Sequence, residues 1–358
     1  MDTQIIFWTQ AYNAEKTLKR TIESVLNQTR KDFTYYVLDH ASDDTTYDII
    51  LEYSKKDPRL IPLRSDVNVK GVFLNYASQI QEKHGNAWTV ILDADDEYEP
   101  NFLEKMMDFV EFNNLDIGFS ASVKIQAHGG IEPENFETLI CNKDAFFEKH
   151  FSDYYKYTTA LWRSVAKLNN VVHAIITMSE KDGVPLGVSV EGGHFIDNLV
   201  MFRHLLQIDK VGFLTDRLHK RYFSEQAQLS NKYTSQRFSF IIKIINALQK
   251  ELVEMSPATK KAINIRFILL FKWALSTLFR SADSLEIKFN DLTNMFSHKH
   301  TKKILYSDWE EIGITTIKKI FLEWNINYVL KQEINSDEEQ ALQSNLLELL
   351  NKYMEECC

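Results

Sequence analysis

The sequence predicts an α/β domain built on a mostly parallel sheet with flanking helices, followed by an all-α domain. Three observations carry this. Apolar runs of strand length alternate with amphipathic stretches of helix length over about the first 110 residues. Polar clusters close those runs at their carboxyl ends. Beyond about residue 235 the chain reads as one helix after another, almost without Gly or Pro.

"QIIFWT" (residues 4–9) reads as a strand, and in "AEKTLKRTIESVLNQ" the apolar Leu18, Ile22, Val25 and Leu26 recur at helical spacing. "FTYYVLDHAS" is a second strand ending in polar residues, and "TTYDIILEYSKK" is an amphipathic helix. "DPRLIPLRS" follows as a turn and short strand, "FLNYASQIQEKH" as a helix, and "NAWTVILDADD" as a fourth strand. The order β-α-β-α-β-α-β is that of a parallel, Rossmann-like sheet, which binds ligands beyond the carboxyl ends of its strands. "TQAYNAE", "DHASDD" and "DADDEYEP" fall there.

After the helix "NFLEKMMDFVEFNN" the pattern is less regular, and four helix-length amphipathic segments fill the remainder. The expected domains are residues 1–234, regular to about residue 110 and less regular over about 111–234, and a helical domain over 235–358. Residues 262–279 are strongly apolar, but Arg266 and Lys272 interrupt them, so a core helix is expected rather than a membrane span.

A composition of 44% hydrophobic and 25% charged residues is that of an ordinary globular chain. The net charge of −9 and the lack of a basic, aromatic-interleaved stretch argue against a nucleic-acid partner. The first 230 residues hold 24 Lys and Arg against 34 Asp and Glu, so a phosphate ligand bound there needs a cation. Met1 leads almost directly into "TQIIFW" without a basic leader, and Cys141, Cys357 and Cys358 lack metal-type spacing. Both features lead us to expect a cytoplasmic protein, with the inner face of the membrane as a further place of action.

"VILDADDEYEP" crowds Asp93, Asp95, Asp96 and Glu97 after a buried strand, a repulsion that a cation, a proton or solvent must offset. Asp-x-Asp suits Mg²⁺ or Mn²⁺, because hard oxygen ligands leave coordination positions open for substrate phosphate. An EF-hand is excluded, since the sixth residue from Asp93 is Tyr98 rather than Gly. Use of the same acids by a nucleotidyltransferase or phosphatase stays open.

In "AYNAEKTLKRTIESVLNQT", "YYVLDHASDDTTYDII" and "VNVKGVFLNYASQIQEKHGNAWTVILDADDEYEPNFLEKMM" the chain resembles bacterial family-2 glycosyltransferases of the inverting type, with the GT-A fold. The likeness is close over about residues 4–110 and looser to about 230. It implies metal-dependent transfer of a hexosyl or N-acetylhexosaminyl group from a nucleotide sugar, a UDP-sugar first of all. The acceptor would be a hydroxyl of a glycan, a lipid-linked glycan or a protein. By position, Gln10, Ala11 and Tyr12 would border the base and Asp39 would accept the uracil N–H. Asn68 would pass near the nucleotide, with Lys70 reaching its diphosphate. Asp93 would face the ribose or the metal, Ala94 would border the nucleotide sugar, Asp95 would hold Mg²⁺ or Mn²⁺, His219 would add a metal nitrogen, and Arg221 would reach phosphate; residues to about 110 would thus be the nucleotide-binding part and about 111–234 the acceptor-side part. Asp197, in "VEGGHFIDNLVMF", would be the general base, with Glu191 as a fallback.

The chain departs from the family pattern in having Gln10 for Pro, His40 for Asp, Leu74 where Arg precedes Asn75, and Ile196 for Glu. A GT-A-shaped binding or scaffold protein is therefore a second open reading. The helical domain is left to acceptor binding, homodimer pairing or contact with a membrane surface.

Overall fold

The structure, a computed structural model, describes residues 4–68, 72–159, 161–182, 194–223, 238–239, 241–243, 245–246, 256–306 and 317–357. For residues 72–75, 178–182, 194–199, 317 and 320 the backbone alone is described. The chain divides into two compact units, Met1–Gln228 and Leu229–Cys358.

The first unit opens as the alternation predicts: β1 (Ile5–Ala11), α1 (Leu18–Leu26), β2 (Thr34–His40), α2 (Thr46–Lys56), β3 (Leu60–Ser65), α3 (Val72–His84) and β4 (Trp88–Ile91). These four strands are parallel, with β2 and β4 flanking β1 and β3 beyond β2. Residues of β1 alternate between two cores. Ile5 and Phe7 pack with Leu18, Ile22 and Val25 of α1, and Ile6 and Trp8 pack with Ala77 and Ile80 of α3.

Past β4 come β5 (Glu97–Tyr98), α4 (Phe102–Phe112), β6 (Ile117–Ile125), β7 (Ile131–Pro133), β8 (Leu139–Asn142), β9 (Ser164–Lys167), α5 (Leu168–Asp182), α6 (His194–Gln207) and β10 (Lys210–Tyr222). The sheet runs β3-β2-β1-β4-β9-β6-β10-β5, with β7 on β6 and β8 on β10. β9 lies antiparallel between β4 and β6, so the stretch of irregular pattern makes the sheet mixed. Gly118 of β6 and Gly212 of β10 face each other across the sheet. A Cβ on Gly118 would meet Val110 of α4, and one on Gly212 would meet Leu115 and Phe109, so the glycines let α4 and its following turn approach the strands closely.

In the second unit the expected helices occur as α7 (Pro257–Arg280), α10 (Ile317–Leu330) and α11 (Asp337–Cys357). Most of the segment expected as a helix over residues 237–255 lies outside the described residues. Two shorter helices were not foreseen, α8 (Leu285–Ser297) and α9 (Lys299–Leu305). Their starts are set by side-chain caps, Ser284 accepting from Ile287 N and His298 accepting from His300 N, rather than by a long apolar stripe. α7 is long and apolar enough to cross a membrane by length and composition, yet 67% of its apolar window is buried within the fold, as in a core helix.

Candidate active site

A cleft of about 1110 Å³ opens at the carboxyl ends of β1 and β4. Gln10, Tyr12, Lys16, Arg20, Asp93 and Asp95 are among its lining residues. One wall is made by the loops after β1 and β2, which are stitched together. Asn13 N donates to Ser42 Oγ (2.9 Å), Asp43 N to Asn13 Oδ1 (2.9 Å), and Ala14 N to Thr46 Oγ1 (2.7 Å). Asn13 and Ala41 both adopt left-handed backbone (φ 48° and 55°), a cost for Ala41 that this stitching must hold in place. Tyr12 is left exposed at the cleft.

Two departures from the family pattern meet on this wall: His40 Nε2 lies 3.0 Å from Gln10 Oε1. With the imidazole N–H as donor, the Gln10 amide is oriented so that its NH₂ is left for the cleft that Gln10 lines. Asp39 is fully buried at the end of β2, where Arg64 Nε approaches it to 3.3 Å and Ser42 N donates to it. It is covered by these partners and is not among the cleft-lining residues.

The opposite wall is the acidic loop after β4. Asp93, Asp95 and Asp96 bring carboxylate oxygens within 4.8 Å of one another. These are hard donors without nitrogen or sulfur among them, a set that fits Mg²⁺ or Mn²⁺. The three differ in environment. Asp93 and Asp95 are exposed to the cleft, whereas Asp96 is buried. Asp96 Oδ1 accepts from Tyr222 N (3.0 Å) and Oδ2 lies 3.2 Å from His219 Nε2, so Asp96 ties the loop to β10. Asp95, open to solvent at its tip but set among protein atoms, has its carboxyl pushed up to about 6 by desolvation and then by the neighbouring Asp96 charge. Arg221 and Arg20 pull it the other way.

His219 is fully buried and holds Asp96 from beneath. Its Nδ1 pairs with Ser122 Oγ (3.0 Å), and its ring stacks on Trp162. Burial holds its pKa below the ordinary histidine value. Both nitrogens face these neighbours, and His219 is not among the cleft-lining residues. Arg221 lies over the rings of Trp162 (4.7 Å) and Phe223 (4.8 Å). Ala11 is buried at the end of β1, Ala94 lines the cleft, and Asn68 is exposed beyond β3. Lys70 and Glu191 lie outside the described residues, and so does the side chain of Asp197, whose backbone is in α6.

Sequence reasoning missed the residues that hold the acidic loop: Thr17, Arg20 and Thr21 of the α1 segment, and Tyr222 at the end of β10. A signal was present. Thr21 and Ser24 interrupt the apolar side of α1, and polar residues at 17, 20, 21, 24 and 28 repeat at helical spacing beside it.

Comparison with known proteins agrees with this geometry. Residues 9–170 match the model of Glycosyl transferase family 2. An uncharacterized glycosyltransferase of Methanocaldococcus jannaschii is 37% identical over 145 residues, 38% of this chain and 49% of that protein. An Escherichia coli UDP-Glc:alpha-D-GlcNAc-diphosphoundecaprenol beta-1,3-glucosyltransferase is 27% identical over 186 residues, 45% of this chain and 69% of that one. The chain spans about half the length of the first curated relatives it matches. The crystal structure of S. aureus TarS 1–349 in complex with UDP-GlcNAc superposes with a TM-score of 0.64 over 99% of this chain and 91% of TarS 1–349, at 14% identity. That likeness establishes the fold as GT-A followed by a helical region.

Proposed function

From the match of residues 9–170 to the family-2 glycosyltransferase model we propose that the protein transfers a sugar from a UDP-sugar to an acceptor hydroxyl, with inversion and in one displacement. The observation that carries the reading is the group of acids at the mouth of the cleft, two open to solvent and one anchored beneath them. UDP-GlcNAc is the ligand named for TarS, and UDP-Glc the donor named for the E. coli relative.

Asp95, with Asp93, would hold Mg²⁺ or Mn²⁺; such an ion supplies positive charge to the departing diphosphate. Arg221 adds a fixed cation near the same acids, its charge acting on Asp95. Gln10 and Tyr12 form the wall where the base would rest. Asp197 would take the proton of the acceptor hydroxyl as its oxygen attacks the anomeric carbon. A new C–O bond then forms on one face while the bond to the diphosphate breaks on the other and UDP leaves. The acceptor is a glycan, a lipid-linked glycan or a protein, and the reaction is placed in the cytoplasm.

The test is a panel of nucleotide sugars with Mn²⁺, scored by nucleotide release for the unaltered protein and for Asp95→Asn and Asp197→Asn. Release with one UDP-sugar, lost in both variants, is expected. Metal-dependent binding without release in the unaltered protein would turn the reading to a binding protein, and the absence of both would end it.

A further inference from the structure

Three consecutive backbone carbonyls of the acidic loop are each held by a side chain from the start of α1. Thr17 Oγ1 donates to Ala94 O (2.9 Å), Arg20 Nη2 to Asp95 O (2.6 Å), and Thr21 Oγ1 to Asp96 O (2.8 Å). The spacing i, i+3, i+4 puts all three donors on one helical face. The same face continues to Ser24 Oγ, which accepts from Tyr98 N (3.3 Å), and to Gln28, which donates to Glu99 O (2.9 Å) and accepts from Leu103 N (2.8 Å).

Arg20 has the most at stake among them. Besides Asp95 O, its Nε lies 2.7 Å from Glu97 Oε1, an ion-pair distance without an aligned N–H, and its guanidinium lies 3.6 Å over the Tyr222 ring. Tyr222 in turn donates its hydroxyl to Glu97 Oε1 (2.8 Å) and its N–H to Asp96 Oδ1 (3.0 Å). One guanidinium thus joins α1, the acidic loop and the end of β10. A planar fork can do this where an ammonium can satisfy only part of it.

We propose that Arg20 is a positioning residue for Asp95: by fixing the Asp95 carbonyl and bracing the loop against Tyr222, it sets the direction in which the Asp95 carboxylate enters the cleft. The inference rests on the reading in which Asp95 holds a divalent cation. Its consequence is that metal affinity depends on a residue that does not touch the metal, an outer-shell effect that costs about ten- to a hundredfold in affinity when the support is removed.

The test measures the Mn²⁺ concentration for half-maximal UDP uptake by equilibrium dialysis, alongside UDP binding without metal and the melting temperature. Arg20→Gln is expected to raise the Mn²⁺ requirement by about ten- to a hundredfold, a larger factor than the loss in metal-free UDP binding that removing a cleft-lining charge brings by itself. Arg20→Lys is expected to recover part of the loss, whereas Lys19→Gln, which removes an exposed positive charge from the same helix, should change nothing. Thr17→Val, which deletes one carbonyl contact at constant shape, should raise the requirement by about threefold and gives the answer if Arg20→Gln fails to fold. A Mn²⁺ requirement unchanged within twofold in Arg20→Gln and Thr17→Val, with the unaltered protein taking up UDP in a metal-dependent way, would overturn the inference alone. If the unaltered protein shows no metal-dependent uptake, the donor reading falls and the inference with it.

Discussion

Beneath the cleft, buried charges have polar partners: Asp39 has Arg64 and Ser42 N, Asp96 has Tyr222 N with His219 beside it, and Arg163 has Glu134. In α6, which packs against α5, His204 is fully buried with both ring nitrogens short of a hydrogen-bond partner among the described residues. The difference shows where desolvation of a titratable side chain is offset by a polar partner and where it is not. Near the cleft, desolvation is offset by partners at each site, so Asp93 and Asp95 can be presented to solvent on a fixed base. In α6, desolvation acts nearly alone and pushes His204 down to about 4, against small opposing pulls from the Asn170 backbone and Asp116.

The contrast breaks first at Asp95. Asp95→Asn is expected to lower metal-dependent nucleotide release by about a thousandfold, the scale of losing an electrostatic anchor for a leaving group. It should not cost stability. Ionised Asp95 sits beside Asp96 with its carboxyl pushed up to about 6, so near pH 7 its charge opposes folding, and the metal-free variant should melt at or above the unaltered protein. A clear fall in melting temperature would mean that Asp95 belongs to the paired, structural acids.

Asp96→Asn should behave in the opposite way. It leaves Oδ1 to accept from Tyr222 N but takes the negative charge away and puts an NH₂ where Oδ2 faces His219, and urea unfolding is expected to report a loss of about 2 kcal/mol. Adjacent acids in one loop would then have opposite effects on stability, a sharper test of the comparison than either variant alone.

His204 gives a similar loss through pH. Its folded pKa lies below the unfolded value, so below about pH 6.5 the unfolded chain takes up a proton that the folded one refuses. Stability should therefore fall as pH drops from 6.5 toward 4, by about 3 kcal/mol from this group. His204→Leu, followed by urea unfolding at pH 7 and pH 4.5, should flatten that acid limb relative to the unaltered protein. An equal slope in both would show that the imidazole finds a partner when protonated.

How much of this was legible in the sequence depends on the range of the interaction. The alternation of strand and helix that makes β1 to β4 is local, a continuous apolar run in Ile5 to Trp8 and a period of about 3.6 in Leu18 to Val25, and the acids at the end of β4 follow from it. The antiparallel insertion of β9 between β4 and β6 depends on pairings across some 45 to 80 residues, of which no short window carries a trace. At the site, the acids themselves were legible, and their supports were not. Thr17, Arg20 and Thr21 meet the loop from more than 70 residues away. His219, which the family resemblance implies as a metal nitrogen, lies beneath Asp96, because the alternation of β10 turns it inward against Trp162.

The smallest effect concerns the wall opposite the acids, where the sequence leaves the family pattern at both Gln10 and His40. Read separately, each departure weakens the resemblance; in the fold they are one hydrogen bond of 3.0 Å. If the pair is a unit, Gln10→Ala and His40→Ala should each cost stability, while the double variant costs less than their sum. The coupling expected for a half-buried neutral hydrogen bond is about 1 kcal/mol. UDP binding should follow the same pattern at a few-fold per variant, since losing His40 frees the Gln10 amide to turn its oxygen, instead of its NH₂, toward the cleft. Strict additivity in unfolding and in binding would mean that the two residues were replaced independently, and that the wall reads nothing through their contact.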